Sequence, residues 1–224
     1  MKTCWLILLV GLSSCDRRPQ QPAPQPQTNV AESAVSVPKF DGQNAYKYLT
    51  AQTDFGPRNP GSDGYHKCLR FLRDELRTLA DAVSLQEFSN TNFKGETFKH
   101  SNIIAQFNSK AFVRILLTAH WDTRPWADND QNPANHTKPI LGANDGASGV
   151  AVLLEIARQL KAKAPPIGVD MALFDCEDTG RRGEPRSFAV GSQYLAKHLP
   201  PGMSPRFAVN LDMVGDRMLS IPRE

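Results

Sequence analysis

The chain has 224 residues, of which 40% are hydrophobic and 22% are charged, so its composition is that of an ordinary globular protein. This is enough apolar material for one substantial core, and one folded domain is the expectation. The formal net charge is only +3 and no block of Lys or Arg stands out, so nothing predicts nucleic acid or an anionic membrane surface as a partner. Evidence for function therefore has to come from motifs.

The first residues have the parts of a secretory leader. Lys2 gives a positive start, and residues 5–12 form an apolar run that is too short to cross a bilayer. Residues 12–15, Leu-Ser-Ser-Cys, resemble a bacterial lipobox, in which the cysteine is acylated and becomes the mature N-terminus. The alternative is an ordinary cleaved signal peptide. We expect a signal peptide over residues 1–14 and a lipid on Cys15 that anchors the protein in the bacterial cell envelope, on its periplasmic or extracellular face.

The segment that follows is dominated by Pro, Gln, Ala and Ser. Such a composition buries too little apolar surface to fold, so residues 15–38 are expected to form a disordered tether before a domain over residues 39–224. Apart from the acylated cysteine, this part of the chain and the domain contain only Cys68 and Cys176, too few for a disulfide framework. We expect both to be small buried hydrophobic residues, although a single bridge between them stays open.

Helices and strands alternate along the rest of the chain. Asp41 is a good N-cap for a helix through about residue 52, and apolar residues recur at helical spacing from Ser62 to Leu79. Further helices are expected over residues 146–160 and 190–198. Strands are expected over residues 83–88, 101–107, 113–119, 169–174 and 207–211. This order predicts an α/β protein, a three-layer α/β/α sandwich with a mixed, mostly parallel central sheet.

Acidic and histidine residues cluster after these strands, where α/β folds bind ligands, and at the start of the buried helix. They are His120, Asp122, Asp145, Glu177, Asp178 and Asp212. Each alone has a simpler explanation as a core histidine, a helix cap or a loop residue. Together, converging carboxylates would repel one another unless a cation held them. A histidine among several carboxylates suits Zn²⁺ best.

Four motifs contain these residues, and they occur in the order seen in the zinc aminopeptidase and glutaminyl cyclase superfamily, which is peptidase M28-like. They are His120-Trp-Asp122, Gly142-Ala-Asn-Asp145-Gly-Ala-Ser-Gly149, Phe174-Asp-Cys-Glu177-Asp178 and Asn210-Leu-Asp212-Met-Val-Gly215. The stretch from His120 to Asp128, together with Phe55-Gly-Pro-Arg58, looks most like the bacterial glutaminyl-peptide cyclotransferases, which are often lipoproteins. The resemblance implies a phosphorylase/hydrolase-like fold from about Asp41 onward.

The resemblance also implies a role for each residue. Asp145 and Asp178 would bind zinc, and Glu177 would be the general acid and base. In an aminopeptidase, His120 and Asp212 would bind a second zinc, whereas in a one-zinc cyclase the Asp212 position belongs to a hydrogen-bond network beside the reacting amide. Asp122 would orient His120 through its second ring nitrogen. The expected metal ligands are thus Asp145, Asp178 and His120, and the expected catalytic residues are Glu177, Asp212 and Asp122.

Two reactions and a silent alternative remain open. A cyclase with one zinc ion would convert the N-terminal glutamine of a peptide or protein to pyroglutamate and release ammonia, and an aminopeptidase with two zinc ions would hydrolyse the first peptide bond. Glu177 followed by Asp178, instead of by a second glutamate, favours the cyclase. Family members carry a further zinc ligand, a histidine downstream of the Asp212 motif, and no histidine follows Asp212 here.

The missing histidine leads to two expectations. The first is a sandwich that is incomplete at its C-terminus, in a truncated chain. The second is a catalytically silent lipoprotein that keeps the fold without the activity. We expect a monomer in either case.

Overall fold

The computed structural model describes residues 37–221. The predicted signal peptide, the lipid-bearing Cys15 and nearly all of the predicted tether lie outside the described residues. Within the described range, no helix is both long enough and apolar enough to cross a bilayer.

Four helices of the described domain begin or end close to their predicted positions. Asp41 caps the first helix by accepting a hydrogen bond from the backbone N–H of Asn44, and Ser62 caps the second through that of Tyr65. The bounds are α1 Gly42–Thr53, α2 Asp63–Leu79, α3 Ala147–Ala162 and α4 Val190–Lys197.

Five strands form one sheet with the order β1-β2-β4-β3-β5. The bounds are β1 Ala82–Thr91, β2 Thr97–Phe107, β3 Arg114–His120, β4 Gly168–Phe174 and β5 Ala208–Asn210. β3 pairs in parallel with both β4 and β5, whereas β2 pairs antiparallel with both β4 and β1. The sheet is therefore mixed, as predicted, and β2 alone runs against the other strands.

Alternation along β2 shows the two faces of the sheet. Ile103, Ala105 and Phe107 belong to a core cluster with buried leucines of α2 and α3. Ile104, between them, packs on the other face with Leu195 of α4. Helices cover both faces, which confirms the predicted α/β/α sandwich.

Both cysteines of the domain are free and buried. Cys68 lies within the cluster between α2 and the sheet, and Cys176 follows β4. The expectation of small buried residues is confirmed, and the single bridge that the sequence left open does not form.

A buried carboxylate ties α3 to the start of α1. Glu155 is fully buried and accepts hydrogen bonds from Arg158 Nη2 at 2.7 Å, Asn44 Nδ2 at 2.8 Å and the backbone N–H of Asp41 at 3.2 Å. The hydrogen bonds from Arg158 lower the pKa of Glu155 from 4.5 to about 2. Burial alone would raise this pKa, and the hydrogen bonds from the other donors help to lower it. The folded state therefore favours the ionised carboxylate.

We expect Glu155→Gln to lower the free energy of unfolding at neutral pH by about 2 kcal/mol, since the folded state loses its preference for the anion. Because the folded pKa lies below the unfolded one, this contribution is present above pH 4.5 and is lost as the pH falls toward 2. Urea unfolding followed by circular dichroism at several pH values measures it. Glu184→Gln, in an exposed pair with Arg181, is the control and should change little. A difference between wild type and Glu155→Gln that stays constant with pH would contradict the assignment.

Candidate active site

The parallel strands bring the predicted site residues to one edge of the sheet. β3 ends at His120, β4 ends just before the segment with Glu177 and Asp178, and β5 ends two residues before Asp212. Asp145 stands two residues before α3, which packs on the same sheet. Parallel neighbours end on the same side, so residues far apart in sequence meet there.

Three of the predicted residues offer a set of metal donors. His120 Nε2 lies 2.9 Å from Asp145 Oδ1 and 3.4 Å from Asp212 Oδ1. One ligand atom from each residue lies within 4.8 Å of the other two. The His120 side chain is buried, whereas those of Asp145 and Asp212 are 34% and 44% exposed, so the group is open to solvent on its carboxylate side.

The state of His120 fits a bound cation. Both of its ring nitrogens are buried and, among the described residues, neither has a hydrogen-bond partner in acceptable geometry. Burial lowers the pKa of His120, but the carboxylates of Asp122, Asp145 and Asp212 outweigh burial and raise it well above 6.5. Positive charge is thus stabilised at this point, and a metal ion would supply it while coordinating a nitrogen. The mixed nitrogen and oxygen donors suit a borderline divalent cation such as Zn²⁺.

Asp122 connects the end of β3 to the loop after β4. It is fully buried and accepts hydrogen bonds from the backbone N–H of Glu177, at 3.1 Å to each oxygen, and from that of Asp178 at 3.3 Å. Its Oδ1 is 3.5 Å from His120 Nδ1, too far for a good hydrogen bond. The expected orientation of His120 by Asp122 stays a prediction, and the contacts with the Glu177-Asp178 backbone are the shorter ones.

Glu177 has the protonation behaviour of a proton carrier. Burial raises its pKa from 4.5 to about 7; nearby Asp122, Asp212 and Asp145 act in the same direction and His120 opposes them. Glu177 lines a cavity of about 260 Å³ together with His120 and Asp212. A carboxyl group that titrates near neutral pH can both take and return a proton.

Asp178 stands apart from the three-donor group. It lines a neighbouring cavity of about 440 Å³ with Asp145, and its Oδ1 is 3.4 Å from Arg124 Nη1. Burial and then the charge of Asp145 raise the pKa of Asp178 to about 7, and Arg124 opposes the rise. The structure thus puts Asp145 and Asp178 in the lining of one cavity, but Asp178 is not part of the group whose ligand atoms lie within 4.8 Å of one another.

Backbone strain is concentrated at this site. Cys176, just before Glu177, has a φ of 56°, and Met213, just after Asp212, has a φ of 50°. Ala189, with a φ of 53°, donates its N–H to the backbone oxygen of Glu177 at 2.8 Å. Residues other than glycine rarely adopt this region, and such conformations are typical of functional sites.

Arg58 holds the loop that carries Asp145, a role that the sequence did not reveal. It is fully buried and donates to the backbone oxygens of Trp121 at 3.0 Å, Leu141 at 2.8 Å and Gly142 at 2.6 Å. Gly142 has a φ of 62°, and a Cβ there would lie 2.3 Å from the Thr123 side chain. The sequence marked Arg58 as part of a family-like motif in a turn rich in Gly and Pro, but gave no sign of the groups that it holds.

Arg124 holds the loop that carries Asp178. Two of its nitrogens contact the Asp128 carboxylate at 2.7 and 2.6 Å. Its Nη1 donates to the backbone oxygens of Asp178 at 3.0 Å and Gly180 at 3.2 Å. The planar guanidinium makes all these contacts at once, which the single ammonium of lysine cannot do.

We expect Arg124→Lys to speed hydrogen–deuterium exchange in residues 177–180 about tenfold, since charge remains but the backbone contacts are lost. Mass spectrometry of the exchanged peptides measures this. Arg114→Lys is the matched control, because Arg114 binds Asp170 through two nitrogens at 2.9 and 2.8 Å elsewhere in the fold. Equal exchange in residues 177–180 of both variants would show that Arg124 does not hold this loop.

With this geometry in place, comparison with known proteins identifies the family. The model of peptidase family M28 matches residues 102–220, more than half of the chain. The chain belongs to peptidase family M28. This confirms the resemblance on which the sequence interpretation rested.

Solved structures similar to this M28 chain include enzymes of both predicted kinds. The glutaminyl cyclase of Tannerella forsythia is 45% identical with a TM-score of 0.77, over 80% of this chain and 64% of that one. A leucine aminopeptidase precursor from Bacteroides thetaiotaomicron is 42% identical with a TM-score of 0.78, over 81% of this chain and 65% of that one.

Among curated proteins, the glutaminyl-peptide cyclotransferase of Gloydius blomhoffii is 27% identical over 196 residues, which are 74% of this chain and 51% of that protein. The chain thus spans about half of the length of this curated relative.

Proposed function

We propose that this M28 domain is part of a zinc-dependent glutaminyl-peptide cyclotransferase, which converts N-terminal glutamine to pyroglutamate and releases ammonia. The observation that carries the proposal is Glu177, a half-buried carboxyl group with a pKa of about 7 beside a group of metal donors. The similarity to glutaminyl cyclases, at 45% identity for one of them, supports this reaction.

The proton transfers follow from the chemistry of the substrate. The α-amino nitrogen attacks the γ-carbonyl carbon of the same glutamine, so a new C–N bond closes the ring while the bond to the amide nitrogen breaks. Glu177 takes the proton that the amine loses and returns it to the amide nitrogen, which leaves as ammonia. A bound zinc ion would polarise the γ-carbonyl. His120, Asp145 and Asp212 offer donors for such an ion, and Asp178 is a further predicted ligand.

A zinc aminopeptidase is the second candidate, and one observation favours it. The three donors that the structure groups most closely include His120 and Asp212, which the family resemblance assigns to the second zinc of aminopeptidases. In that reaction Glu177 would take a proton from the attacking water and pass it to the departing amine. Ammonia release separates the two reactions, because the peptidase liberates an amino acid instead.

The test is ammonia release from a peptide that begins with glutamine. The full chain is freed of metal with a chelator and then titrated with Zn²⁺. We expect ammonia release to appear with zinc and to disappear when the chelator returns. Absence of both ammonia and free amino acid at every zinc concentration would exclude both enzymes and leave the silent protein.

We also propose that the protein is a monomer that a lipid on Cys15 anchors in the bacterial cell envelope. The leader and the Leu-Ser-Ser-Cys segment support the anchor. Incorporation of labelled palmitate in a bacterial host, lost in Cys15→Ser, is the expected result. Equal labelling of the two forms would contradict it.

A further inference from the structure

A third, largely polar cavity lies between the β1–β2 hairpin and the loop after β3. It encloses about 260 Å³, and Trp126 lines both this cavity and the one that contains Asp145 and Asp178. The tip of the hairpin contacts this shared wall, because Lys94 Nζ lies 4.0 Å from the centre of a Trp126 ring and the Phe93 ring lies 5.0 Å from it. The two cavities therefore share Trp126 as a wall.

The lining of the cavity suits neutral groups that both donate and accept hydrogen bonds. Three asparagines and two threonines contribute amide and hydroxyl groups, and Phe98 and Trp126 contribute aromatic walls. The carboxylate in the lining, Glu96, is engaged by Asn92 Nδ2 at 2.9 Å. A peptide backbone, with its alternating N–H and C=O groups, has matching chemistry.

A buried histidine in the lining has one ring nitrogen without a hydrogen-bond partner among residues 37–221. His100 lines the cavity, is 1% exposed, and has its Nδ1 3.2 Å from Asp175 Oδ1. Both oxygens of Asp175 already accept backbone N–H groups, from Ser101 at 2.7 Å and Cys176 at 2.6 Å, so we assign the hydrogen to His100 Nδ1. Its Nε2 is then an acceptor, and within residues 37–221 no hydrogen-bond partner reaches it.

We propose that this cavity binds the backbone of the residues that follow the N-terminal glutamine of a peptide substrate, with His100 Nε2 accepting an amide N–H. The inference rests on the proposed function and extends it, since it makes the length of the peptide a determinant of turnover. On this proposal a dipeptide substrate is too short to reach the cavity, whereas a pentapeptide reaches it.

The test blocks the cavity without touching the metal donors or Glu177. Thr137 is exposed at the cavity lining, and Thr137→Trp fills the space. Asn59→Leu is the second variant, which removes a polar lining group of similar size. Thr78→Trp, on the exposed surface of α2 and outside the lining, is the matched control for added bulk. The readouts are kcat/KM for ammonia release from glutaminyl dipeptide and pentapeptide, and fluorescence anisotropy of a labelled pentapeptide.

We expect wild type and Thr78→Trp to prefer the pentapeptide about tenfold in kcat/KM, as one or two neutral hydrogen bonds allow. The two cavity variants should lose this preference and bind the labelled pentapeptide about tenfold more weakly, with dipeptide turnover unchanged. Equal length dependence in all four proteins would overturn the inference. If no peptide releases ammonia, the proposed function fails; anisotropy then still decides whether the cavity binds the peptide.

Discussion

Glu177→Gln is expected to lower kcat for ammonia release about 1000-fold, because glutamine keeps the size of the side chain but cannot carry the proton. KM should change little, since the proposal gives Glu177 no part in binding the peptide. Steady-state ammonia assays over a range of peptide concentrations measure both constants. The pKa of about 7, raised first by burial, is the structural reason to choose this residue.

The control for this experiment is Glu87→Gln, an exposed glutamate on β1. It should behave as wild type. Zinc binding measured by calorimetry should be alike in all three proteins, so that a loss of turnover is not a loss of metal. A kcat in Glu177→Gln within twofold of wild type would remove Glu177 from the reaction.

His120→Asn is expected to weaken zinc binding about 100-fold or more, since it removes the only nitrogen donor of the three-donor group. Zinc should raise the melting temperature of wild type, because a ligand that binds only the folded state stabilises it. The same zinc concentration should leave the melting temperature of His120→Asn nearly unchanged. Differential scanning calorimetry with and without zinc, together with direct titration of the metal-free chain, measures both effects.

His66→Asn is the matched control, because His66 is an exposed histidine on α2 outside the donor group. It should keep the full zinc-induced rise in melting temperature. An equal rise in wild type and His120→Asn would show that the metal binds elsewhere or that His120 is not a ligand.

Local signals in the sequence were sufficient for the helices and the central strands. Asp41 and Ser62 cap α1 and α2 as predicted, because a cap is a contact over three residues and is visible in the sequence. The hydrophobic runs of β3 and β4 reflect burial on both faces. The predicted clustering of site residues followed from strand direction alone, since parallel neighbours end at the same edge of a sheet.

The sequence predicted β1 and β2 too short at the end where they form the hairpin. The polar tip of the hairpin is held by backbone pairing and not by burial of its side chains. Asn90 pairs with Phe98 and Thr91 with Thr97 beyond the predicted strands. Polar residues in that region resemble a loop in a hydrophobicity pattern, although a hairpin needs no apolar side chains there. This part of the fold matters, since it forms one side of the cavity proposed to bind the peptide backbone.

Long-range partners at the site could not be predicted from local patterns. Arg58 donates to Gly142, 84 residues away, and Arg124 to Asp178, 54 residues away. Nothing in the sequence indicates that the shortest contacts of Asp122 are to the backbone of Glu177 and Asp178. Such contacts depend on the packing of whole elements, so the sequence identifies the donors but not what they hold.

The most direct test of the proposed cyclase is the mass of the peptide after incubation with the zinc-loaded chain. The substrate is a peptide that begins with glutamine and has a second residue chosen to keep spontaneous ring closure of that glutamine slow. The product is analysed by mass spectrometry. For a cyclase we expect a product that has lost one ammonia and resists Edman degradation, and that does not form with Glu177→Gln. A product that has lost its whole N-terminal residue, with no loss of ammonia, would contradict the cyclase and identify the aminopeptidase.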